Sequence, residues 1–393
     1  MPADPAAPGG FSFIDRPDDL RGFCASLQGA PWIAFDTEFI REKSYYPRLC
    51  LIQVAVPGRI ACIDPLAIED LTPLLELLYD RAILKVLHAC SQDLEIFAHL
   101  RGEVPGPIFD TQLAAPLLGL PEQMGYGAFV KEMLGLSLDK GQARTDWSRR
   151  PLGEAQLRYA ADDVRYLVDI YPEMVKKLEA LGRLGWLRSE FEPYEQIERY
   201  RPDPGRAWLR IRGAERLRPK ALAILQLLAR WREEVAQQRD LPRNWVVKDD
   251  ALVDIARLAP EDREALGQLR TLPAKTADRY GDTLLRLVRE GLQREPEPGP
   301  AWKRRSRPTA QEEALADLLQ ARLRLMADEF KINGATIASR RELLAMAQGE
   351  EDLGVLRGWR REMAGGELRA MCRGQRSVCV KDGRLQVSEI PDS

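Results

Sequence analysis

The sequence predicts an α/β domain followed by two small all-α modules, and three observations lead to that reading. Apolar runs with strand character (WIAFDTEF, RLCLIQVAV, RIACI, ILKVLHAC) cluster between residues 32 and 90. Beyond residue 195 strand signals almost vanish, and apolar residues recur at helical spacing. At 393 residues the chain is too long for one ordinary domain, and the Pro- and charge-rich stretch EPEPGPAWKRRSRP has the composition of an inter-domain linker. The expected units are a flexible tail over 1–10, the α/β domain over 11–195, and helical domains over 212–292 and 309–385.

Taken in order, MPADPAAPGG lacks the basic and apolar regions of a signal peptide and reads as a tail. DDLRGFCASLQGAP has amphipathic helical spacing and leads into the strand WIAFDTEF. Pro57-Gly58 divides the next apolar stretch into a strand, a turn and a strand. LTPLLELLYD is helical, ILKVLHAC returns to strand character, and SQDLEIFAHL opens a helix at Ser91. FDTQLAAPLLGL and YGAFVKEMLGLSLDK give helices broken by Gly and Pro, and a long helical pattern with one late proline, Pro172, closes the domain. ALAILQLLARWREEVAQQ and DTLLRLVREG belong to the first helical module, and EEALADLLQARLRLMADEF, SRRELLAMA and GGELRAMCRG to the second.

Composition narrows the function classes. Charged residues make up 30% of the chain and the net charge is -2, so any affinity for nucleic acid must come from local basic stretches. Two such stretches stand out: Arg201 to Lys220, with seven basic residues against two acids, and KRRSR at 303–307. The six cysteines show no C-x-x-C spacing, which argues against a zinc site or a disulfide framework and fits a reducing compartment. No stretch reaches the roughly 18 apolar residues of a membrane span. The expected location is the cytoplasm.

The chemistry centres on WIAFDTEF. Asp36 and Glu38 are i and i+2 on a strand, so their side chains share a face about 7 Å apart along the backbone. Like charges that close are relieved by protons or by a cation, and hard divalent ions such as Mg²⁺ or Mn²⁺ prefer oxygen ligands. Asp93 lies in the first turn of the helix after ILKVLHAC. Tyr159 and Asp163 are i and i+4 on a later helix and share a face, while Asp162 points about 100° away. Four carboxylates and a phenol can hold two divalent ions for in-line attack on a phosphodiester.

At these residues the sequence resembles a known family. DTEF at 36–39, HACSQDLEIF at 88–97, FDTQLAA at 109–115, LDKGQARTDWSRRPL at 138–152 and YAADDVRYL at 159–167 resemble the motifs of the ribonuclease D family, in the tyrosine branch of the DEDD exonucleases. LARWREEVAQQRDLPRNWVV and LRTLPAKTADRYGDTLL, within 212–292, resemble an HRDC domain, and the second module resembles the further HRDC-like domain of the same family.

The resemblance implies a ribonuclease H-like (DnaQ-like) exonuclease domain followed by two HRDC-type domains. It implies that Asp36, Glu38, Asp93 and Asp163 bind two divalent ions, with Asp36 bridging them, Glu38 and Asp163 completing one site and Asp93 reaching the other through water. Tyr159 matches the branch tyrosine and is expected to orient the attacking water. Phe39, by stacking, and His88, Lys140, Arg144 and Arg149 are the expected nucleic-acid contacts; a buried, hydrogen-bonded role is the other reading of His88. The implied activity is 3′→5′ exoribonucleolytic trimming of tRNA precursors and other small structured RNAs with single-stranded 3′ tails, by a monomer whose three domains form a ring or funnel. Two other readings use the same residues: a 3′→5′ DNA exonuclease, since the 2′-hydroxyl contact cannot be located in sequence, and an RNA-binding module whose nuclease fold is incidental.

Overall fold

The computed structural model describes residues 10–139, 141, 145–297 and 307–390. The expected tail except Gly10, the run KRRSR except Arg307, and Lys140 and Arg144 lie outside the described residues.

The α/β domain is built around a six-stranded mixed sheet. In chain order it contains β1 (Ser12–Ile14), α1 (Pro17–Ala25), β2 (Trp32–Ile40), β3 (Arg48–Val56), β4 (Arg59–Ile63), α2 (Thr72–Tyr79), β5 (Leu84–Leu87), α3 (Ser91–Arg101), β6 (Ile108–Asp110), α4 (Thr111–Ala114), α5 (Tyr126–Leu134) and α6 (Glu154–Ala180). Strand order is β1-β4-β3-β2-β5-β6. β2, β3 and β4 form an antiparallel meander, with Gly58 taking the positive φ of +80° that its turn requires. β5 and β6 join parallel to β2 through helical crossovers. β3 is buried along most of its length because helices cover both faces of the sheet.

Strand alternation sorts β2 into two environments. Phe35 is fully buried and packs edge-on against Phe97 of α3, with ring centroids 5.6 Å apart. Asp36 and Glu38 occupy the other face, opposite Gln53 and Leu51 of β3. There Leu51, Cys62, Trp147, Ala160 and Ala161 form a small apolar cluster beneath α6. A bulge between Glu38 and Phe39 ends the regular pairing of β2 just after the acids.

Past α6, α7 (Leu187–Phe191) and a run of short 3-10 turns lead to the first helical module: α8 (Pro219–Arg239), α9 (Arg243–Val246), α10 (Asp249–Leu258), α11 (Arg263–Gly267) and α12 (Ala274–Leu292). Leu225, Leu228, Ile255 and Leu284 are fully buried in its core. The second module comprises α13 (Ala310–Phe330), α14 (Gly334–Ile337), α15 (Arg340–Ala347), α16 (Gly358–Arg360) and α17 (Gly366–Cys372), and ends in the hairpin β7 (Arg376–Lys381) and β8 (Arg384–Glu389).

Three elements were not anticipated: β1, β6 and the terminal hairpin; β6 takes Phe109 and Asp110, the first two residues of the expected helix FDTQLAAPLLGL, which begins instead at Thr111. β1 is only three residues long and shows no readable periodicity, yet it pairs parallel with β4. The hairpin falls at the end of the module expected to be helical through 385, and its signal is Asp382-Gly383, both at positive φ, between alternating residues.

The second module shares its core with the α/β domain, since Leu319, Leu323 and Leu368 belong to the same buried cluster as Phe35 and Val164. Trp359 stacks on Trp186 at 5.2 Å, and its indole N–H donates to Glu190 at 2.8 Å. Arg183 donates to the carbonyls of both Leu117 and Phe330. The two units should therefore unfold together. Trp359→Ala should cost about 3–5 kcal/mol and lower one shared transition in denaturant melts followed by two probes; a separate early transition of the second module would contradict the shared core.

Candidate active site

Three elements bring the acids together. β2 carries Asp36 and Glu38 out past the end of β5, and α6 passes over that face of the sheet with Asp163. Carboxylate oxygens of Asp36, Glu38 and Asp163 lie within 4.8 Å of one another. Asp93 comes from the first turn of α3, on the far side of β2, and is 6% exposed. The Thr37 hydroxyl donates to its Oδ1, so the residue between the two strand acids holds the carboxylate of the third element.

The turn before α3 is fixed by Asp110, the last residue of β6. Its carboxylate accepts from the backbone N–H groups of Ala89 and Cys90 and also caps α4 through Gln112 and Leu113. Ala89 sits at φ 63°, a left-handed conformation that these bonds hold in place. Asp110 thus sets where α3 starts, and with it where Asp93 points.

Tyr159 lies one helical turn before Asp163 and is packed from behind by Trp147, with centroids 6.2 Å apart. The segment bearing Trp147 is stapled to the sheet by Arg150, whose guanidinium binds both oxygens of the buried Asp64, at 2.5 and 2.7 Å, and the Cys50 carbonyl at 2.7 Å. This explains the basic tail of LDKGQARTDWSRRPL. Arg150 positions the loop, while Arg149, the residue expected to touch nucleic acid, is exposed and pairs with Asp146 at 3.1 Å.

Electrostatics at the acids are dominated by burial and mutual repulsion. Burial, then Asp93, Asp163 and Glu38, hold the Asp36 carboxyl well above the usual range. Burial, then Asp163 and Asp93, push Glu38 up to about 9. Asp163 rises to about 7 through burial, Asp162 and Asp93. Asp93 also rises to about 7 by burial, although its bond from Thr37 opposes the shift. Burial and the neighbouring acids raise the Tyr159 phenol above its ordinary value. Among the described residues no lysine or arginine forms an ion pair with these four carboxylates. A cluster of hard oxygen donors, crowded and without a compensating cation, fits a divalent ion with bonds of about 2.0–2.6 Å. Asp162 is not part of the cluster; it pairs with Arg165 at 2.7 Å.

The remaining expected residues divide. His88 is hydrogen-bonded at both ring nitrogens, Nδ1 to Thr111 Oγ1 at 2.8 Å and Nε2 to the Met124 carbonyl at 2.9 Å, and stacks on Phe129. Both ring nitrogens are thus engaged within the domain, an arrangement that favours the hydrogen-bonded reading of His88 over a nucleic-acid contact. Phe39 is partly buried and belongs to none of the three apolar clusters among the described residues. Within the basic stretch 201–220, Arg201 donates to the Gly102 carbonyl and Lys220 pairs with Glu295, so part of it serves as internal ties.

Thr37, Asp110 and Arg150 are not among the expected site residues, although each lies inside a motif quoted for the family resemblance. Gln53 was also not singled out; it lies opposite Asp36 in register, is fully buried and, among the described residues, has no hydrogen-bond partner at either amide atom. Its signal was a lone polar residue inside the apolar run RLCLIQVAV.

The chain is similar to known proteins over most of its length. Residues 11–179 match the 3'-5' exonuclease family and residues 221–288 the HRDC domain family. The chain is 44% identical over 376 residues to a ribonuclease D of Sphingobium indicum, covering 94% of this chain and 96% of that one. It is 39% identical over 378 residues to a ribonuclease D of Nitrobacter hamburgensis, covering 95% and 98%. The crystal structure of Escherichia coli RNase D, described as an exoribonuclease involved in structured RNA processing, superimposes with a TM-score of 0.81 at 34% identity, covering 93% of this chain and 99% of that one.

The raised carboxyl groups make a signed prediction. Their folded pKa values lie above unfolded values near 4, so between those limits the native state holds protons that the unfolded state has released. This contribution is complete below about pH 4 and is lost as pH rises through about 7 for Asp93 and Asp163 and about 9 for Glu38. In chelator, the melting temperature should fall between pH 5 and 9, and saturating Mg²⁺ should flatten that slope. Asp36→Asn should raise the metal-free melting temperature at pH 8, by about 2–4 °C per kcal/mol of repulsion removed. A melting temperature that climbs across this window would contradict the assignment.

Proposed function

The chain belongs to the ribonuclease D family and is a 3′→5′ exoribonuclease, and from that premise we propose that it trims the 3′ ends of tRNA precursors and other small structured RNAs, releasing nucleoside 5′-monophosphates. The observation that carries the reading is the convergence of Asp36, Glu38 and Asp163 within 4.8 Å, with Asp93 and Tyr159 beside them. Asp36, Glu38 and Asp163 would hold divalent metal, and Asp93 would add its carboxylate from α3. When bound, two divalent ions would supply the acidity that makes water a nucleophile at neutral pH and the charge that stabilises the leaving 3′-oxygen. Tyr159 keeps its proton at neutral pH because burial and the neighbouring acids raise it. It therefore acts as a hydrogen-bonding group that orients the attacking water rather than as a base.

Substrate binding draws on several surfaces. A cavity of about 750 Å³ lies between the α/β domain and the first helical module, lined in part by Arg199, Arg210 and Ser91, the last only two residues from Asp93. Its position and its arginines support a path for an RNA strand with a single-stranded 3′ tail. Phe39 would stack on a base and Arg149 would meet a phosphate; both are sufficiently exposed to do so. The domain partition 11–195, 212–292 and 309–385 belongs to the same reading, with the last unit a second HRDC-like domain. Supporting this, α8 and α13 are each 21 residues long and α9 and α14 each four. The long helices both end on a left-handed residue, Asp240 or Lys331, and Val247 and Ala338 share φ −154° after the short ones. No helix of the described chain is long and apolar enough to cross a membrane; we assign a cytoplasmic monomer.

The test is a time course on 5′-labelled tRNA with a short 3′ extension, with Mg²⁺, with Mn²⁺ and with chelator, beside a DNA tail of the same sequence. The expected result is a metal-dependent ladder that shortens from the 3′ end, pauses near the mature terminus, is faster on RNA, and is absent in Asp36→Asn. Equal rates on RNA and DNA tails, or shortening that survives in Asp36→Asn, would overturn the proposal.

A further inference from the structure

The segment 41–47 leaves β2 three residues after Glu38 and crosses to the first helical module. Tyr45 is 3% exposed and buried in that module's core, among Trp208, Leu225 and Leu228. Its hydroxyl donates to Glu233 and accepts from Arg243 at 2.9 Å and Gln237 at 3.2 Å. Glu233 is itself buried and held by both guanidinium nitrogens of Arg243 that face it. The backbone N–H groups of Tyr45 and Tyr46 both donate to Asp240 Oδ1 at 2.9 Å, at the C-terminal end of α8. A tyrosine hydroxyl with three partners, inside the core of a neighbouring domain, is a specific attachment rather than an incidental contact.

The same segment also grips α3. Arg41 pairs with Glu95 at 2.8 Å and donates through Nε to the Tyr45 carbonyl at 3.0 Å. Tyr46 stacks flat on His99, with centroids 3.8 Å apart. Glu95 is two residues past Asp93, so one seven-residue segment is covalently continuous with the strand of Asp36 and Glu38, tied to the helix of Asp93, and anchored in the helical module.

We propose that residues 41–47 form a positioning latch through which the HRDC domain sets the placement of Asp93 relative to Asp36 and Glu38. The helical domain is then part of the apparatus that shapes the metal-binding site, even for substrates too small to touch it. Tyr45 and Asp240 are positioning residues in this scheme, acting through β2 and α3. The inference rests on the metal-site reading of the acids given above.

A substrate confined to the active site separates this role from RNA binding. The full-length protein and its Tyr45→Ala, Tyr45→Phe and Asp240→Gly variants are compared on the p-nitrophenyl ester of a nucleoside 5′-monophosphate and on tailed RNA. Mn²⁺ binding is followed by electron paramagnetic resonance on the same samples, independently of turnover. Asp240→Gly keeps the left-handed end of α8, since glycine adopts positive φ freely, and removes only the two bonds to the latch. A displacement near 1 Å costs about 100-fold in rate, so Tyr45→Ala should lose about 10–100-fold in ester turnover. Tyr45→Phe and Asp240→Gly should lose less, and Mn²⁺ binding should weaken in the same order. Variants that bind Mn²⁺ and hydrolyse the ester like wild type, while losing only tailed RNA, would overturn the latch and leave the HRDC domain as an RNA-binding surface. Wild type that cleaves neither substrate would sink the exonuclease site reading, and the order of Mn²⁺ affinities would still decide the latch.

Discussion

Repulsion among Asp36, Glu38 and Asp163 is the constraint on which the rest of the domain depends. Their carboxylate oxygens are held within 4.8 Å, and Asp93 adds a fourth acid that raises all three. Left to itself, such a cluster would spread apart or take up protons. The fold prevents the first by anchoring the four acids on three rigid supports: Asp36 and Glu38 on β2 in the centre of the sheet, Asp93 at the start of α3 and Asp163 on the long helix α6. The acids are left to take up protons, and a divalent ion held there would displace those protons and neutralise the carboxylates.

The supports are ordinary interactions placed where they matter. Asp110 fixes the turn that starts α3, Thr37 orients Asp93, and Arg150 with Asp64 holds Trp147 behind Tyr159. None of these side chains belongs to the acidic cluster itself, yet each determines where a member of it or its tyrosine lies. Gln53 differs from these: a buried amide directly opposite Asp36, it has no partner among the described residues.

Much of this was legible in the sequence because the chemistry is encoded locally. Asp36-x-Glu38 declares a shared face through strand alternation, and Tyr159 and Asp163 do so through helical spacing. What those patterns could not declare is convergence; the 4.8 Å cluster depends on α6 crossing the correct face of β2, a matter of tertiary packing. The strand β1 was illegible because three residues carry no period, and the hairpin at 376–389 was overlooked although Asp382-Gly383 announced it. His88 illustrates a different limit. The sequence leaves a substrate contact and a hydrogen-bonded histidine both open, and only the bonds to Thr111 and Met124, distant in sequence, favour the second. Tyr45 was unreadable for the same reason, since nothing local says that a loop tyrosine enters another domain's core.

The most direct test of the central claim is calorimetric titration of metal-free protein with Mn²⁺ at pH 7, in two buffers of different ionisation enthalpy. If the cluster holds protons because of burial and repulsion, binding must expel them, since metal ligands are deprotonated on coordination. The account predicts net proton release at pH 7 that shrinks as pH approaches the range where Glu38 loses its proton, about 9. Binding with the same enthalpy in both buffers, and so without proton release, would contradict it.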